Sequence, residues 1–261
     1  MNTTIRYILT GFFGLVLAAC IVMAFTAGTK ARKTLTCTGL EVVILDSMQN
    51  SFVSKADVKG YLDKEYGTYV GEVIDSIDLA KIEEIIDGRS AVLKSQAYVT
   101  RNGVLHIEVT QRKPVVRFQK KDGGFYADAD GYIFPLQKSY ASHVHVIDGN
   151  IPLAANSGYK GVIEDPKEKE WFNRVMNVVN YIENSKTWKD MIVQISVDDG
   201  SNLILIPRKG NERFLFGQPT EIEDKFLRME KYYTNIVPAK GEGYYKYVDL
   251  KYEGQIVCKK K

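Results

Sequence analysis

The chain has 261 residues, enough for one large domain or two small ones with an ample core. Its 45% apolar and 26% charged residues are those of an ordinary globular protein. The net charge of +3, with basic residues spread rather than striped, gives no footing for nucleic-acid binding.

From Tyr7 to Thr29 the sequence YILTGFFGLVLAACIVMAFTAGT carries no charge. A helix of that length reaches roughly 33 Å, enough to cross a bilayer core. LAAC at Leu17–Cys20 has the form of a lipoprotein signal box, but IVMAF follows it where a mature lipoprotein begins with a polar tether. A cleavable secretory signal would have a shorter apolar core. The segment therefore reads as an uncleaved anchor over residues 7–29, after a stub of residues 1–6. Arg6 precedes it and Lys30, Arg32 and Lys33 follow it, so charge alone leaves its orientation open.

A basic, Thr-rich linker spans residues 30–39, and LEVVIL (Leu40–Leu45) is the first strand expected. SKADVKGYLDKEYG reads as a helix with Ser54 as N-cap, Asp57 three residues on, an apolar face of Val58, Tyr61 and Leu62, and Gly67 as its stop. A second helix starts at Asp78, aligns Leu79, Ile82, Ile85 and Ile86, and stops at Gly88. SQAYVTR-NG-VLHIEVTQR then predicts a hairpin through Asn102-Gly103 in a two-residue type I′ turn. The order β-α-α-β-β over residues 40–113 is a small domain that ends near Pro114.

Residues 114–261 are strand-rich. VVRFQ and GFYADADGYIFPL suggest a hairpin around Lys121 to Gly124, and HVHVID gives a further strand. A helix follows Asp165, with Pro166 at N1, Glu168 at N3 and an apolar face of Trp171, Val175, Val178, Val179 and Ile182. A hairpin through Asp199-Gly200 comes next. Thr220 and Glu223 have capping-box spacing before a helix whose stripe is Ile222, Phe226, Met229, Tyr233 and Ile236. The chain closes on a strand in which Val248, Leu250, Tyr252, Ile256 and Cys258 alternate with Tyr247, Asp249, Lys251, Glu253 and Gln255.

Catalytic chemistry finds little support. His143 and His145 share one face of a strand with no third ligand patterned near them. His106 reads as a strand surface residue. DADG at Asp128–Gly131 lacks the later ligands of a calcium loop and reads as a tight turn between Tyr126 and Tyr132. Ser157 and Lys160 match a serine–lysine spacing without its companion motifs. No phosphate loop or carboxylate pair stands out, so no cofactor, metal or catalytic residue is expected. Cys20, Cys37 and Cys258 fit no zinc or redox spacing. A Cys37–Cys258 bridge would need an approach of the two ends that sequence does not show.

Four segments carry a family likeness: FVSKADVKGYL, AYVTRNGVLHIEVTQRKPVVRF, YADADGYIFP and YVDLKYEGQIVCKK. Their order and spacing over residues 40–258 resemble the bacterial cell-division family FtsQ, called DivIB in other bacteria. The first is similar to the opening helix of its POTRA domain, the second to its A-x-V-x-R, L-x-I-x-V and R-x-P run. The third resembles its D-x-D-G-x-x-F segment and the last its closing D-L-R-Y strand. The chain departs from the family in its short stub and in GRSAVL, where a proline usually precedes the hairpin.

The resemblance implies an α+β protein: one amino-terminal transmembrane helix, a βααββ POTRA-like domain, and a mostly antiparallel β domain with two flanking helices. It implies a non-catalytic, single-pass scaffold of the inner membrane, its carboxyl-terminal domain outside the cytoplasm at the division septum. The implied partners are FtsB- and FtsL-like coiled-coil proteins of the divisome, with no nucleic acid and no small-molecule substrate. A last strand left at a sheet edge could take a partner segment by strand addition. The residues expected to meet it are Tyr247, Leu250, Tyr252, Glu253, Gly254, Gln255, Ile256 and Val257, with Tyr252 as anchor and Gly254 permitting close approach. The plainer reading puts this strand inside the sheet and Tyr252 in the core. Other function classes are a POTRA-type module in outer-membrane assembly or secretion and a membrane-tethered envelope binding protein.

Overall fold

The computed structural model describes residues 11–23, 35–121, 123–137 and 139–260. Residues 11–23 are helical, with exposed side chains. The anchor expected over residues 7–29 lies partly outside the described residues, and among these no helix is long and apolar enough to cross a membrane. The chain forms two units, Met1–Gln49 with Val53–Gln111, and Asn50–Phe52 with Arg112–Lys261.

In the first unit the order is β1 (Gly39–Ile44), α1 (Lys55–Glu65), α2 (Leu79–Asp87), β2 (Val92–Val99) and β3 (Val104–Gln111). The sheet order is β1-β3-β2, with β1 parallel and β2 antiparallel to β3. Ser54 and Asp57 form the reciprocal cap of α1, each side chain accepting from the other's backbone N–H. Asp78 accepts from Lys81 N to start α2. Val58 and Leu62 of α1 and Ile82 and Ile86 of α2 are buried, as are Leu105, Ile107 and Val109 of β3. That follows from two apolar helix stripes meeting one alternating strand face.

The β2–β3 hairpin forms, but not through a two-residue turn. Thr100 N donates to Val104 O and Gly103 N to Thr100 O, which leaves Arg101, Asn102 and Gly103 as a three-residue loop. A type I′ turn needs positive φ at both central residues, and here Gly103 has it (φ 87) while Asn102 does not.

The second unit is built on one ten-stranded sheet, ordered β13-β12-β11-β10-β9-β7-β4-β5-β6-β8. Its members are β4 (Pro114–Lys120), β5 (Gly123–Asp128), β6 (Tyr132–Pro135), β7 (His145–Gly149), β8 (Gly161–Val162), β9 (Ile192–Val197), β10 (Leu203–Pro207), β11 (Arg213–Gly217), β12 (Tyr247–Asp249) and β13 (Val257–Lys259). The pairs β4/β7, β7/β9 and β11/β12 are parallel and the rest antiparallel. Helices α3 (Pro166–Asn184), α4 (Trp188–Met191), α5 (Ile222–Lys231) and α6 (Val237–Lys240) complete it. Trp171, Val175, Val178, Val179 and Ile182 of α3 pack with Phe226 and Met229 of α5 in one core cluster with the sheet. Asp165 caps α3 by accepting from Lys167 N and Glu168 N. The stripe of α5 runs on through a π-helical stretch, Tyr232–Ile236.

Two other local expectations change. The Thr220–Glu223 box does not form: the chain enters α5 through Glu221 in the left-handed region (φ 52), with no side-chain cap. His143 and His145 are not a surface pair. β7 begins at His145, which is buried 3.1 Å from Glu183 Oε1, while His143 is exposed. His106 is half-buried, stacked on Tyr98 at 5.2 Å. The thiols of Cys20, Cys37 and Cys258 are free.

The motif residues at the start of the second unit meet in space. Arg112 Nη1 lies 2.8 Å from Asp128 Oδ2, and its guanidinium covers the Tyr132 ring at 3.4 Å. Asp128 Oδ1 accepts from Asp130 N and Tyr132 N, closing the DADG turn. One carboxylate thus serves an ion pair and a turn, which suits R-x-P and D-x-D-G lying far apart in sequence.

Candidate partner-binding edge

The last seventeen residues do not make a single strand. β12 runs beside β11 in parallel, the chain turns over residues 250–256, and β13 returns antiparallel to β12. The cause is at the turn. Asp249 Oδ1 accepts from Lys251 N, Gln255 N donates to Tyr252 O, and Gly254 takes a left-handed conformation (φ 66). A hydrogen replaces a side chain at Gly254 for that φ alone, because an added Cβ would meet nothing within 4 Å. The turn itself therefore favours glycine here.

The hairpin leaves β13 as one outer strand of the ten-stranded sheet, with its far side unpaired among the described residues. Val248 and Leu250 point into the core and are fully buried, and Ile256 and Cys258 pack partly against it. Val257 is 44% exposed and Lys259 is exposed. Tyr252 is 54% exposed, so it is not a core residue, and Glu253, Gly254 and Gln255 are exposed beside it. Tyr247, half-buried on β12, pairs with Lys259. The structure thus brings Tyr252–Gln255 and Val257 together on one turn and edge. Leu250 lies beneath them and offers no surface.

Arg228 of α5 holds this turn. It is 3% exposed, and its Nη1 donates to the carbonyls of Tyr252 and, at 2.9 Å, of Gln255. Its Nη2 lies 2.8 Å from Asp224 Oδ2. Nothing in the sequence marks Arg228, because a period-3.6 stripe shows only the apolar face and a charge one step off it reads as solvent-facing.

The surroundings are cationic and aromatic. Lys260 lies over the Tyr244 ring at 4.7 Å and Lys246 over the Tyr247 ring at 5.4 Å. The hydrogen bond from Lys260 draws the Tyr244 hydroxyl below its ordinary range. Beneath the hairpin, burial and the nearby Glu212 push Tyr232 up to about 12, and burial raises the Cys258 thiol. Both shifts keep these two groups protonated beside the buried Arg228 and Glu212. Among the described residues no group of three His, Cys, Asp or Glu is placed to share a metal ion.

Comparison with protein families matches residues 113–259 to the model described as FtsQ/DivIB, C-terminal related. The chain belongs to the FtsQ/DivIB family. Residues 35–110 match a POTRA-like domain, in agreement with the βααββ order of the first unit. No curated protein matches the chain. FtsQ/DivIB is a non-catalytic family of cell division, and membership carries the general expectation of divisome protein partners and a septal membrane location.

Proposed function

We propose that this protein is a non-catalytic, single-pass scaffold of the divisome that joins FtsB- and FtsL-like partners through its carboxyl-terminal edge. Residues 7–29 anchor it in the inner membrane, and the two units lie outside the cytoplasm at the septum. The partner adds a strand to β13, with Tyr252 as the aromatic anchor and Tyr247, Glu253, Gly254, Gln255, Ile256 and Val257 completing the contact over a Leu250 floor. The observation that carries this reading is the unpaired outer side of β13 beside an exposed Tyr252. An open edge is a hazard unless something covers it. Each added backbone bond contributes about 0.5–1.5 kcal/mol, so a few bonds and one aromatic contact support binding on the order of micromolar.

The alternative of a POTRA-type module in outer-membrane assembly accounts for residues 35–110 but not for the family match over 113–259. The deciding experiment is binding of the detergent-solubilised chain to FtsB- and FtsL-like partners, with Tyr252→Ala and Val257→Asp as variants. Both side chains are exposed, so the fold should survive by circular dichroism while affinity falls about tenfold or more. Binding unchanged in both variants would remove the site from β13.

A further inference from the structure

In the first unit α2 is tied to its sheet by carboxylates: Ser95 N donates to Asp87 Oδ1 and Ala97 N to Glu83 Oε1. The larger sheet meets its helices through an apolar row. Register sets Phe118, Ile147, Ile195, Leu205, Phe214 and Val248 side by side across β4, β7, β9, β10, β11 and β12. All six lie in the core cluster with α3 and α5. Successive side chains of a strand point to opposite faces, so their sequence neighbours form the other face of the sheet.

That face carries two rows, two residues apart. One row is acidic: Asp148, Ser196, Ile204, Leu215, Asp249 and Val257 are register partners from β7 to β13. The other is basic. Arg117, Val146, Gln194 and Ile206 pair across β4, β7, β9 and β10. Arg213, Tyr247 and Lys259 continue across β11, β12 and β13.

Between the charges, Val146, Ile204, Ile206 and Leu215 are half-buried and take no part in the core cluster. Among the described residues Arg117, Arg213 and Lys259 form no ion pair. Asp148 accepts from Gln194 Nε2, and Asp249 has Lys251 Nζ 3.5 Å away. An apolar middle with cations along one margin and carboxylates along the other suits a cover with the reversed order of charge.

The chain itself carries that reversed order. A two-fold axis along the rows, between two facing sheets, sets each basic row over the other copy's acidic row. It also keeps the strands of the two sheets aligned, as in packed sheets generally. Arg213 and Lys259 stand on the strands flanking β12, so they bracket the second copy's Asp249. Arg117, one strand from β7, meets the second copy's Asp148. An axis along the strands would oppose like rows, so the charges select one arrangement.

We propose that this face pairs with the same face of a second copy, in a two-fold sheet-on-sheet dimer whose basic rows lie over acidic rows. The inference goes beyond partner docking at β13, since it uses the face of that strand and leaves its outer edge free.

The test is sedimentation velocity of the full chain in detergent micelles at rising concentration, with Arg213→Asp and Asp249→Arg as variants. Each variant alone opposes like charges twice, so its dimer dissociation constant should rise about tenfold or more over wild type. Mixed in equal amounts, the two variants should regain the wild-type constant, because each altered row then faces its opposite. Ile204→Glu, in the apolar middle, should weaken the dimer with no rescue by either variant. Circular dichroism checks the fold. If Asp249→Arg does not fold, because its carboxylate also accepts from Lys251 N, Arg117→Asp with Asp148→Arg makes the same exchange at the other end of the rows. A wild type that stays monomeric, or pairing as strong in Arg213→Asp as in wild type, would overturn the proposal. So would a mixture of folded variants that pairs no better than either alone.

Discussion

Arg228 shows how much of a surface turn one interior residue can govern. Its guanidinium spends its bonds on two carbonyls of the turn, so the shape of the outer hairpin depends on a side chain no partner touches. Arg228→Met should cost about 2–4 kcal/mol, since two carbonyls and Asp224 lose a partner. Amide exchange over residues 252–259 should rise in that variant while exchange in β9 and β10 stays unchanged. Gly254→Ala isolates backbone strain, because its Cβ meets open space; urea unfolding should show a loss of about 1 kcal/mol. His145 carries a pH dependence. Burial pushes its imidazole below the usual range, Glu183 pulls it back and Lys189 opposes protonation again. The unfolded chain then binds the proton more tightly than the folded one. Stability is full above the unfolded value of about 6.5 and falls as pH drops below it toward the lowered folded value. The urea midpoint of wild type should therefore fall more between pH 7 and pH 5 than that of His145→Gln.

At the scale of elements, most of the fold is legible in the sequence because local signals and burial agree. Ser54 with Asp57 and Asp165 with Pro166 announce helices that form as expected, and Val248 and Leu250 alternate as they are buried. What was illegible has a common cause. Period-two alternation runs from Val248 to Cys258 with only Gly254 interrupting the apolar row, but the chain reverses at Glu253-Gly254, so that row is shared between two strands. The pattern is blind to a turn that conserves parity, and only the glycine hinted at it. The Thr220–Glu223 box does not form where Glu221 turns left-handed at the entry to α5; one turn on, the buried Lys225 donates from Nζ to Gln218 O. Arg228 and the carboxylates of α2 were invisible for a different reason: their partners are backbone groups of other elements. Glu83→Ala with Asp87→Ala should destabilise the first unit by about 2–4 kcal/mol and speed exchange at Ser95 and Ala97, which a purely solvated helix face would not do.

At the scale of the molecule, the two family matches follow the two units of the chain. The POTRA-like unit is a small sheet with β2 bonded by its own carboxylates, and the second unit is a long mixed sheet whose β13 is unpaired on its far side among the described residues. A scaffold needs places where other chains can dock and no pocket where chemistry must occur, and an open sheet edge supplies docking through backbone that every partner has. The most direct test of docking at β13 is amide exchange on the detergent-solubilised chain, with and without an FtsB-like partner. Exchange over Val257–Lys259 should slow on binding, and the slowing should be lost in Tyr252→Ala. Tight binding that leaves those amides unchanged would contradict it.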